Sequence, residues 1–315
     1  MLTVGFVVSP GFPIMSLAAL SVFEFANVST GRDCYDIHIL SETGGPIRTA
    51  MGTSLETAAW GERHFDTLII GGNTAVHPTS AGLQSFITAA ARTSRRLSSI
   101  CTGVFALADT GVLGQRRVTT HWLFTEDFAN RFPDLRLDRD RIFIVDGPIW
   151  TAAGNSAGID LTLAMLEMDY GAALAHDVAR IMVVDHLRPG AGSQHSAMLA
   201  MKPRSDRIQA ALAHARQNLQ AVLSVEVLAQ VAGLSPRQFS RAFQAETGTS
   251  PAKAIETLRI EAAQLMIAQS CHPIEIIAAE SGFGDQERMR RAFLRGLGRP
   301  PQAVRAQAKA RSARG

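Results

Sequence analysis

The sequence predicts two domains, an α/β doubly wound N-terminal domain and an all-α C-terminal domain with two helix-turn-helix units. Three observations lead there. Short apolar runs alternate with helical patterns through the first 170 residues, strand patterns vanish after a Gly/Pro/Ser stretch at 188–193, and a C-terminal segment recurs about 50 residues downstream. A chain of 315 residues has the length of two ordinary domains. Its 46% hydrophobic and 19% charged residues provide apolar surface for two cores and carry no disorder signal.

Residues 4–8 read as the first strand and 14–27 as a helix. Residues 35–40 and 65–70 read as the second and third strands, the third ending in Gly71-Gly72. A helix over 83–92, a short strand over 97–100 and a helix over 103–110 follow. Residues 142–145 and 149–152 read as a hairpin with Asp146-Gly147 at its turn, and helices follow over 156–168 and 172–187. Strand–helix alternation with fully apolar strands implies a parallel sheet covered on both faces. The domains are placed at 1–190 and 207–305, with a linker over 191–206 and a frayed basic tail over 306–315.

The repeat is the sharpest feature. Leu228-Ala229, Gly233-Leu234, Ser235, Phe239, Ala242-Phe243, Gly248 and Pro251 recur as Ile277-Ala278, Gly282-Phe283, Asp285, Met289, Ala292-Phe293, Gly298 and Pro301. Each copy reads as helix, Gly-containing turn, helix. In the first, Ser224 caps a helix whose apolar face is Val227, Leu228 and Val231, and Gly233 supplies the positive φ of the turn. Ser235 caps the second helix with Pro236 at its first position, and Phe239, Ala242 and Phe243 face the core. Asp285 is the matching cap in the second copy, and a long helix over 252–268 joins the two. The outer faces then carry Arg237, Gln238, Ser240 and Arg241 in one unit, and Gln286, Glu287, Arg288, Arg290 and Arg291 in the other. Arg suits guanine O6/N7, Gln suits adenine N6/N7 and Glu accepts from cytosine N4, so these faces are candidates for major-groove reading of double-stranded DNA.

Charge agrees with that reading. Residues 201–315 hold 17 Lys+Arg against 9 Asp+Glu, a balance of +8, which leaves residues 1–200 at −5. Only the C-terminal part is expected to meet a polyanion. The three cysteines, Cys34, Cys101 and Cys271, are far apart and odd in number, as expected of reduced thiols in a cytoplasm. Residues 1–10 lack the basic region of a signal peptide, and no apolar run is long enough to span a membrane. No metal site is expected from the Cys and His spacing, and no cofactor site, since Gly71-Gly72 is not a dinucleotide motif. Trp60, Trp122 and Trp150 read as core or interface residues, and Asp160 and Glu167 as structural or solvated.

The segment from Ile277 through Phe293 to Gly298, Pro301 and Arg305 resembles the C-terminal motif of AraC/XylS-type regulators, and the resemblance covers about 100 residues, from 207 to 305. It implies two helix-turn-helix units lying in successive major-groove segments. Leu294, Pro300 and Val304 depart from the family pattern, where a basic residue, Ser or Thr, and an aromatic are common.

In the N-terminal part the chemistry centres on Cys101. It sits where the strand over 97–100 turns into a helix, an elbow at the carboxyl end of the sheet, and a helix N-terminus there is expected to lower the thiol pKa. Ser98-Ser-Ile-Cys101-Thr-Gly, Thr119-Thr-His121-Trp122 and Thr151-Ala-Ala-Gly154 with Gly158 and Asp160 resemble the flavodoxin-like, PfpI-like domain related to class I glutamine amidotransferases, over residues 3–170. Many enzymes of that superfamily support the cysteine with an acidic residue after the first strand. Here residues 10–16 hold none before Glu24, so Cys101 is expected to be a vestigial rather than a catalytic residue, with His121 as the nearby candidate base. A hydrolase or hydratase activity dependent on Cys101 is the alternative.

Together the two likenesses match the GlxA-type regulators over nearly the whole chain. That resemblance implies a sequence-specific transcription regulator acting as a homodimer on an operator, with RNA polymerase a further candidate partner. Its N-terminal domain is then a non-enzymatic sensor of a small amino-acid- or amine-derived metabolite. The effector site is expected at Gly71, Gly72, Cys101, Thr102 and His121, whose backbone N–H groups suit a carboxylate or amide oxygen.

Overall fold

The computed structural model describes residues 1–184, 188, 190, 192, 194, 201, 203–269 and 272–312, without the side chains of 265, 268, 269 and 307–312. The expected linker over 191–206 and Cys271 lie largely or wholly outside them. The chain divides into two compact units, Met1–Gln194 and His195–Gly315.

In the first unit, strand β1 (Leu2–Val7) is followed by a 3-10 turn (Ile14–Ala19), helix α1 (Ser21–Thr30), β2 (Tyr35–Ser41), β3 (Gly45–Arg48), β4 (Ser54–Ala59), β5 (Thr67–Ile70), α2 (Ala81–Thr93), β6 (Arg96–Ile100) and α3 (Gly103–Asp109). Then come β7 (Arg117–Val118), α4 (Thr125–Arg131), β8 (Arg136–Leu137), β9 (Phe143–Asp146), β10 (Ile149–Ala152), α5 (Asn155–Tyr170) and α6 (Ala172–Ile181). Eight strands form one sheet in the order β3-β4-β2-β1-β5-β6-β10-β9. It is parallel except for its two outer pairs, β3–β4 and β9–β10.

Alternation along each strand divides the core into two layers. Val4, Phe6 and Val8 of the first strand region pack with Val22 and Phe23 of α1 and with Leu161 and Leu166 of α5. Val7 points the other way, with Leu68, Leu97, Phe86 of α2, Val104 of α3 and Phe128 of α4. Strand order reverses at β1, between β2 and β5, and a doubly wound sheet opens a crevice at such a point beyond the strand carboxyl ends.

Several local expectations differ from the fold. The helix expected over 14–27 is a 3-10 turn followed by α1, which ends at Gly31 with φ 61°. The hairpin register pairs Asp146 with Ile149, so Gly147 and Pro148 form the turn. Helix α6 stops at Ile181, short of residue 187, although 185–187 are outside the described residues. Strands β3 and β4 have no counterpart in the sequence reading. Their residues are half exposed and interrupted by Gly and Pro, so no apolar run marks them.

The amino ends of the strands are tied by one charge cluster. Arg96 Nη1 and Nη2 donate to the two oxygens of Asp169 at 2.7 and 2.8 Å, Arg95 adds a bond at 2.7 Å, and the Tyr35 hydroxyl donates to the same carboxylate at 2.9 Å. Arg96 also lies over the Trp150 ring, 5.0 Å from its centroid. The Asp169 and Arg96 side chains are only 1% and 5% exposed. Burial alone would raise the Asp169 pKa, but the guanidinium hydrogen bonds outweigh it and hold the carboxyl below the usual range.

The second unit is helical: α7 (Asp206–Gln217), α8 (Val225–Val231), α9 (Pro236–Thr247), α10 (Pro251–Gln269), α11 (Ile274–Glu280), α12 (Gln286–Leu297) and α13 (Pro301–Ser312). Residues 306–312, expected as a frayed tail, continue α13. Two small cores share α10. Its Ala254, Ile255 and Leu258 join Leu228, Phe239 and Phe243, whereas Ile260, Ala263 and Ile267 join Ile277, Met289 and Phe293. Val231, expected in the first core, is 38% exposed, whereas Ala229 and Ala232 are buried.

Asp169→Ala leaves two arginines without their buried partner and is expected to destabilise the first unit by about 3–5 kcal/mol in urea unfolding at pH 7. Because the native pKa is depressed, the carboxylate's contribution is complete above the unfolded value of about 4 and is lost as pH falls through the native value. Asp169→Asn should therefore flatten the acid limb of stability below about pH 4. An unchanged limb would assign acid sensitivity to other carboxylates.

Candidate functional site

The two repeated units match in geometry. Ser235 accepts from the Gln238 backbone N–H, and the Gln238 side chain accepts in return from the Ser235 backbone, a closed capping box at the start of α9. Asp285 accepts from the Arg288 N–H at 2.8 Å at the start of α12. Both helices have 12 residues and end at left-handed glycines, Gly248 with φ 71° and Gly298 with φ 69°. Both turns run through a positive-φ glycine, Gly233 at 63° and Gly282 at 84°.

The outer faces of α9 and α12 are exposed. Among the described residues Arg237 and Arg241 have no carboxylate partner. Arg288 pairs with Asp285 at 3.2 Å, and Glu287 pairs with Arg290 at 3.0 Å and Arg291 at 3.9 Å. Such exposed pairs are worth about 0–1 kcal/mol, so another anion can displace them at small cost. Gln238 differs: its side-chain oxygen accepts from both the N–H and the hydroxyl of Ser235, at 3.1 and 2.8 Å. Bidentate adenine reading by Gln238 would have to release that cap.

The units are joined through Arg259 of α10. Its Nε and Nη2 donate to the Leu219 carbonyl at 3.0 and 2.9 Å, and Nη2 also donates to the Ala221 carbonyl at 3.0 Å. The turn at Gly282 fits against the same carbonyl so closely that a Cβ there would lie 1.8 Å from it. Beside this junction a cleft of about 380 Å³ separates α10 from α12, lined by Arg259, Arg288, Arg291, Arg295 and Glu256 among others. Glu256 is ion-paired to Arg295 and, at 2.9 Å, to Lys253.

In the first unit Cys101 adopts φ 57°, the strained elbow expected of a strand running straight into a helix. Its N–H donates to the Ala152 carbonyl, and its carbonyl accepts from the Thr120 hydroxyl, both at 2.9 Å. The side chain is buried against the α1/α5 layer. Burial pushes the thiol pKa up to about 11, and the hydrogen bond with the Thr102 backbone offsets only part of this. The expected acidification by the helix end is thus reversed by desolvation. Ser16, in the loop after β1, is buried and donates to Asn155 Oδ1 at 3.0 Å, a neutral pair. His121 caps the 3-10 turn Trp122–Phe124, its Nδ1 accepting from Leu123 N–H at 3.2 Å, and its ring lies against Gly154.

A second feature lies on the opposite layer. A cavity of about 600 Å³ opens beyond the carboxyl ends of β1, β2 and β5, at the reversal of strand order. Val7, Trp60, Ile70, Leu83 and Phe105 give it apolar walls, and Ser9, Glu42, Asn73, Thr79 and Thr102 give it polar atoms. Thr102 holds the wall together, since its hydroxyl accepts from Asn73 N–H at 2.6 Å and donates to Asn73 O at 3.2 Å. The Asn73 amide in turn donates to the Pro10 carbonyl at 2.8 Å.

Comparison with known proteins agrees with both halves. Residues 20–168 match the DJ-1/PfpI family, and residues 228–307 match a helix-turn-helix domain. The HTH-type transcriptional regulator GbdR of Pseudomonas aeruginosa is 26% identical over 308 residues, 96% of this chain and 84% of that protein. The HTH-type transcriptional regulator GlxA of Rhizobium meliloti is 28% identical over 308 residues, 96% of this chain and 95% of that protein. The chain thus joins a DJ-1/PfpI domain to a helix-turn-helix domain. A crystal structure of an AraC family transcriptional regulator from Pseudomonas putida superposes with a TM-score of 0.53 at 22% identity, covering 58% of this chain and all of that one, which shows the shared fold. Among the described residues no helix is long and apolar enough to cross a membrane, and no group of His, Cys, Asp or Glu is arranged to hold a metal ion.

Within the DJ-1/PfpI domain the residues expected at one effector site divide. Gly71 and Thr102 line the cavity, whereas Gly72, Cys101 and His121 do not. Gly72 is a packing residue, since a Cβ there would lie 2.6 Å from that of Cys101. Asn73, Glu42 and Trp60 are missed as lining residues because only the sheet topology brings together the segments after β2, β4 and β5. In the helix-turn-helix domain, Arg259 and Arg295 were likewise outside the expected faces. The turn glycines offer a test. A Cβ at Gly233 meets nothing within 4 Å, so Gly233→Ala should cost only the left-handed strain, about 1–2 kcal/mol. Gly282→Ala adds a backbone collision and should cost the domain at least twice as much in thermal unfolding; equal costs would place the junction elsewhere.

Proposed function

We propose that the protein is a sequence-specific DNA-binding transcription regulator whose DJ-1/PfpI domain senses a small metabolite without turning it over. One observation carries the DNA-reading part. Two capped helices of equal length, α9 and α12, present exposed Arg and Gln side chains from units locked to a common helix. A helix in the major groove offers its N-terminal side chains to base edges, and Arg237, Ser240 and Arg241 in one unit, with Gln286, Glu287, Arg288 and Arg291 in the other, are the side chains proposed to do so. Gln238 is proposed to contribute through its amide N–H, its oxygen being held by Ser235.

Three features support a sensor without turnover. A thiol with a pKa of about 11 is overwhelmingly protonated at neutral pH. No Asp or Glu stands between β1 and Glu24 to act on it. The Nδ1 of His121 is engaged in capping. The strained elbow at Cys101 is the observation that favours the alternative, a retained Cys101-dependent hydrolase or hydratase.

The DNA duplex for testing is obtained by in vitro selection on the full-length protein. Arg241→Ala and Arg291→Ala should each lose about 1–3 kcal/mol on that duplex and little on scrambled DNA. An equal loss on both would make them phosphate contacts. Cys101→Ala should leave operator affinity unchanged. Turnover of amides, isonitriles or glyoxals that disappears in Cys101→Ala would overturn the sensor reading.

A further inference from the structure

We infer that the cleft between α10 and α12 is an anion site, taking a phosphate group between Arg259 of α10 and Arg295 of α12. Arg288 and Arg291, proposed above to read bases, line the same cleft and add to its charge. Helical spacing builds the two walls. Arg288, Arg291 and Arg295 stand at i, i+3 and i+7 on α12, and Ile255, Glu256 and Arg259 share one face of α10.

The charges of the lining do not cancel. Four guanidinium groups face one carboxylate, Glu256, which is already shared between Arg295 and Lys253. Arg288 and Arg291 pair with Asp285 and Glu287 at 3.2 and 3.9 Å, contacts weak enough to yield. Arg259 differs from all three. It is half-buried, its bonds go to the carbonyls of Leu219 and Ala221 through Nε and Nη2, and among the described residues it has no carboxylate partner. Burial lowers its pKa from the ordinary guanidinium value, and no opposing charge raises it. A carbonyl accepts a hydrogen bond but brings no net negative charge, so an anion in the cleft would relieve a desolvated cation. Phosphate suits several guanidinium groups better than a carboxylate does. Its tetrahedral oxygens can each meet a different fork, whereas one fork satisfies a carboxylate. A space of about 380 Å³ admits the phosphate together with part of the molecule that carries it. Two sources present that group: the backbone of a duplex read by α12, and a free phosphorylated compound.

Arg259 also holds the junction, so the test is placed on the other two charges. Arg295→Gln removes a cation, and Glu256→Gln removes the competing carboxylate. Thermal unfolding of the full chain is followed in inorganic phosphate, with acetate and chloride at equal ionic strength as controls. Phosphate should protect the helical unit more than either control. Its apparent affinity should fall about two- to five-fold in Arg295→Gln and rise by a similar factor in Glu256→Gln. A general salting effect would be the same in all three proteins, and a merely structural role would move the midpoint without phosphate but not the affinity. The second arm measures affinity for the selected duplex against salt concentration. A salt slope lowered by about 1 in Arg295→Gln, with an even loss over all sequences, assigns the site to the duplex backbone. Phosphate protection with an unchanged slope assigns it to a free phosphorylated compound. Equal protection by acetate, or variants that alter neither phosphate affinity nor salt slope, would overturn the inference. Only the duplex arm rests on the DNA-reading proposal: a protein without sequence preference discards that proposal and leaves phosphate protection to decide the cleft.

Discussion

The guanidinium of Arg259 joins what would otherwise be two small three-helix clusters. It reaches from the middle of α10 to the carbonyls of Leu219 and Ala221, in the segment leading into the first helix-turn-helix, while Gly282 of the second presses on the same carbonyl. Neither cluster is large enough to be stable by itself on burial alone. Sharing α10 gives each a wall, and the Arg259 bonds fix the rotation of one about that wall relative to the other. Base reading by two helices depends on that fixed relation, because each must enter the groove without a separate cost of orientation. The dependence also explains why the two turns, equal in backbone conformation, are unequal in tolerance: only the second is part of the junction.

The DJ-1/PfpI domain has a corresponding joint. Thr102 follows the elbow, and through its hydroxyl the loop after β6 is bound to Asn73 after β5, which in turn holds the loop after β1. These three segments are the ends of adjacent parallel strands. The elbow strain at Cys101 is thus maintained by neighbours that also shape the cavity, although thiol and cavity occupy opposite layers. In such an arrangement a side chain retained for geometry can lose its chemistry, since the joint needs the backbone of residue 101 and the hydroxyl of Thr102, not a thiolate.

What the sequence made legible follows from locality. Caps, turn glycines and the i, i+3, i+4 core positions of the repeat are short-range patterns, and Ser224, Ser235, Asp285, Phe239 and Phe293 fall where those patterns put them. The elbow is equally local, being an apolar strand running into a helix. The cavity is not, because Glu42, Trp60 and Thr102 follow β2, β4 and β6 and meet only in the assembled sheet. The thiol pKa was misjudged for a related reason: the helix end is visible in sequence, while burial depends on residues from several distant elements. Val231 shows the limit on the helical side: its period fits the core, yet it is exposed while Ala229 and Ala232 are buried.

The division of charge gives these separate parts a common logic. The basic C-terminal 115 residues suit a polyanion, and the N-terminal 200, with a balance of −5, do not. Screening at physiological salt confines each field to roughly 8 Å. A basic surface raises the local concentration of polyanions only close to itself. For a ligand in the DJ-1/PfpI domain to influence the second unit, it would have to act through packing, for instance of the loops after β1, β2 and β5, rather than through the electrostatic field. A coupling of that kind requires the ligand to favour one packing of those loops over another, since equal affinity for both would shift nothing.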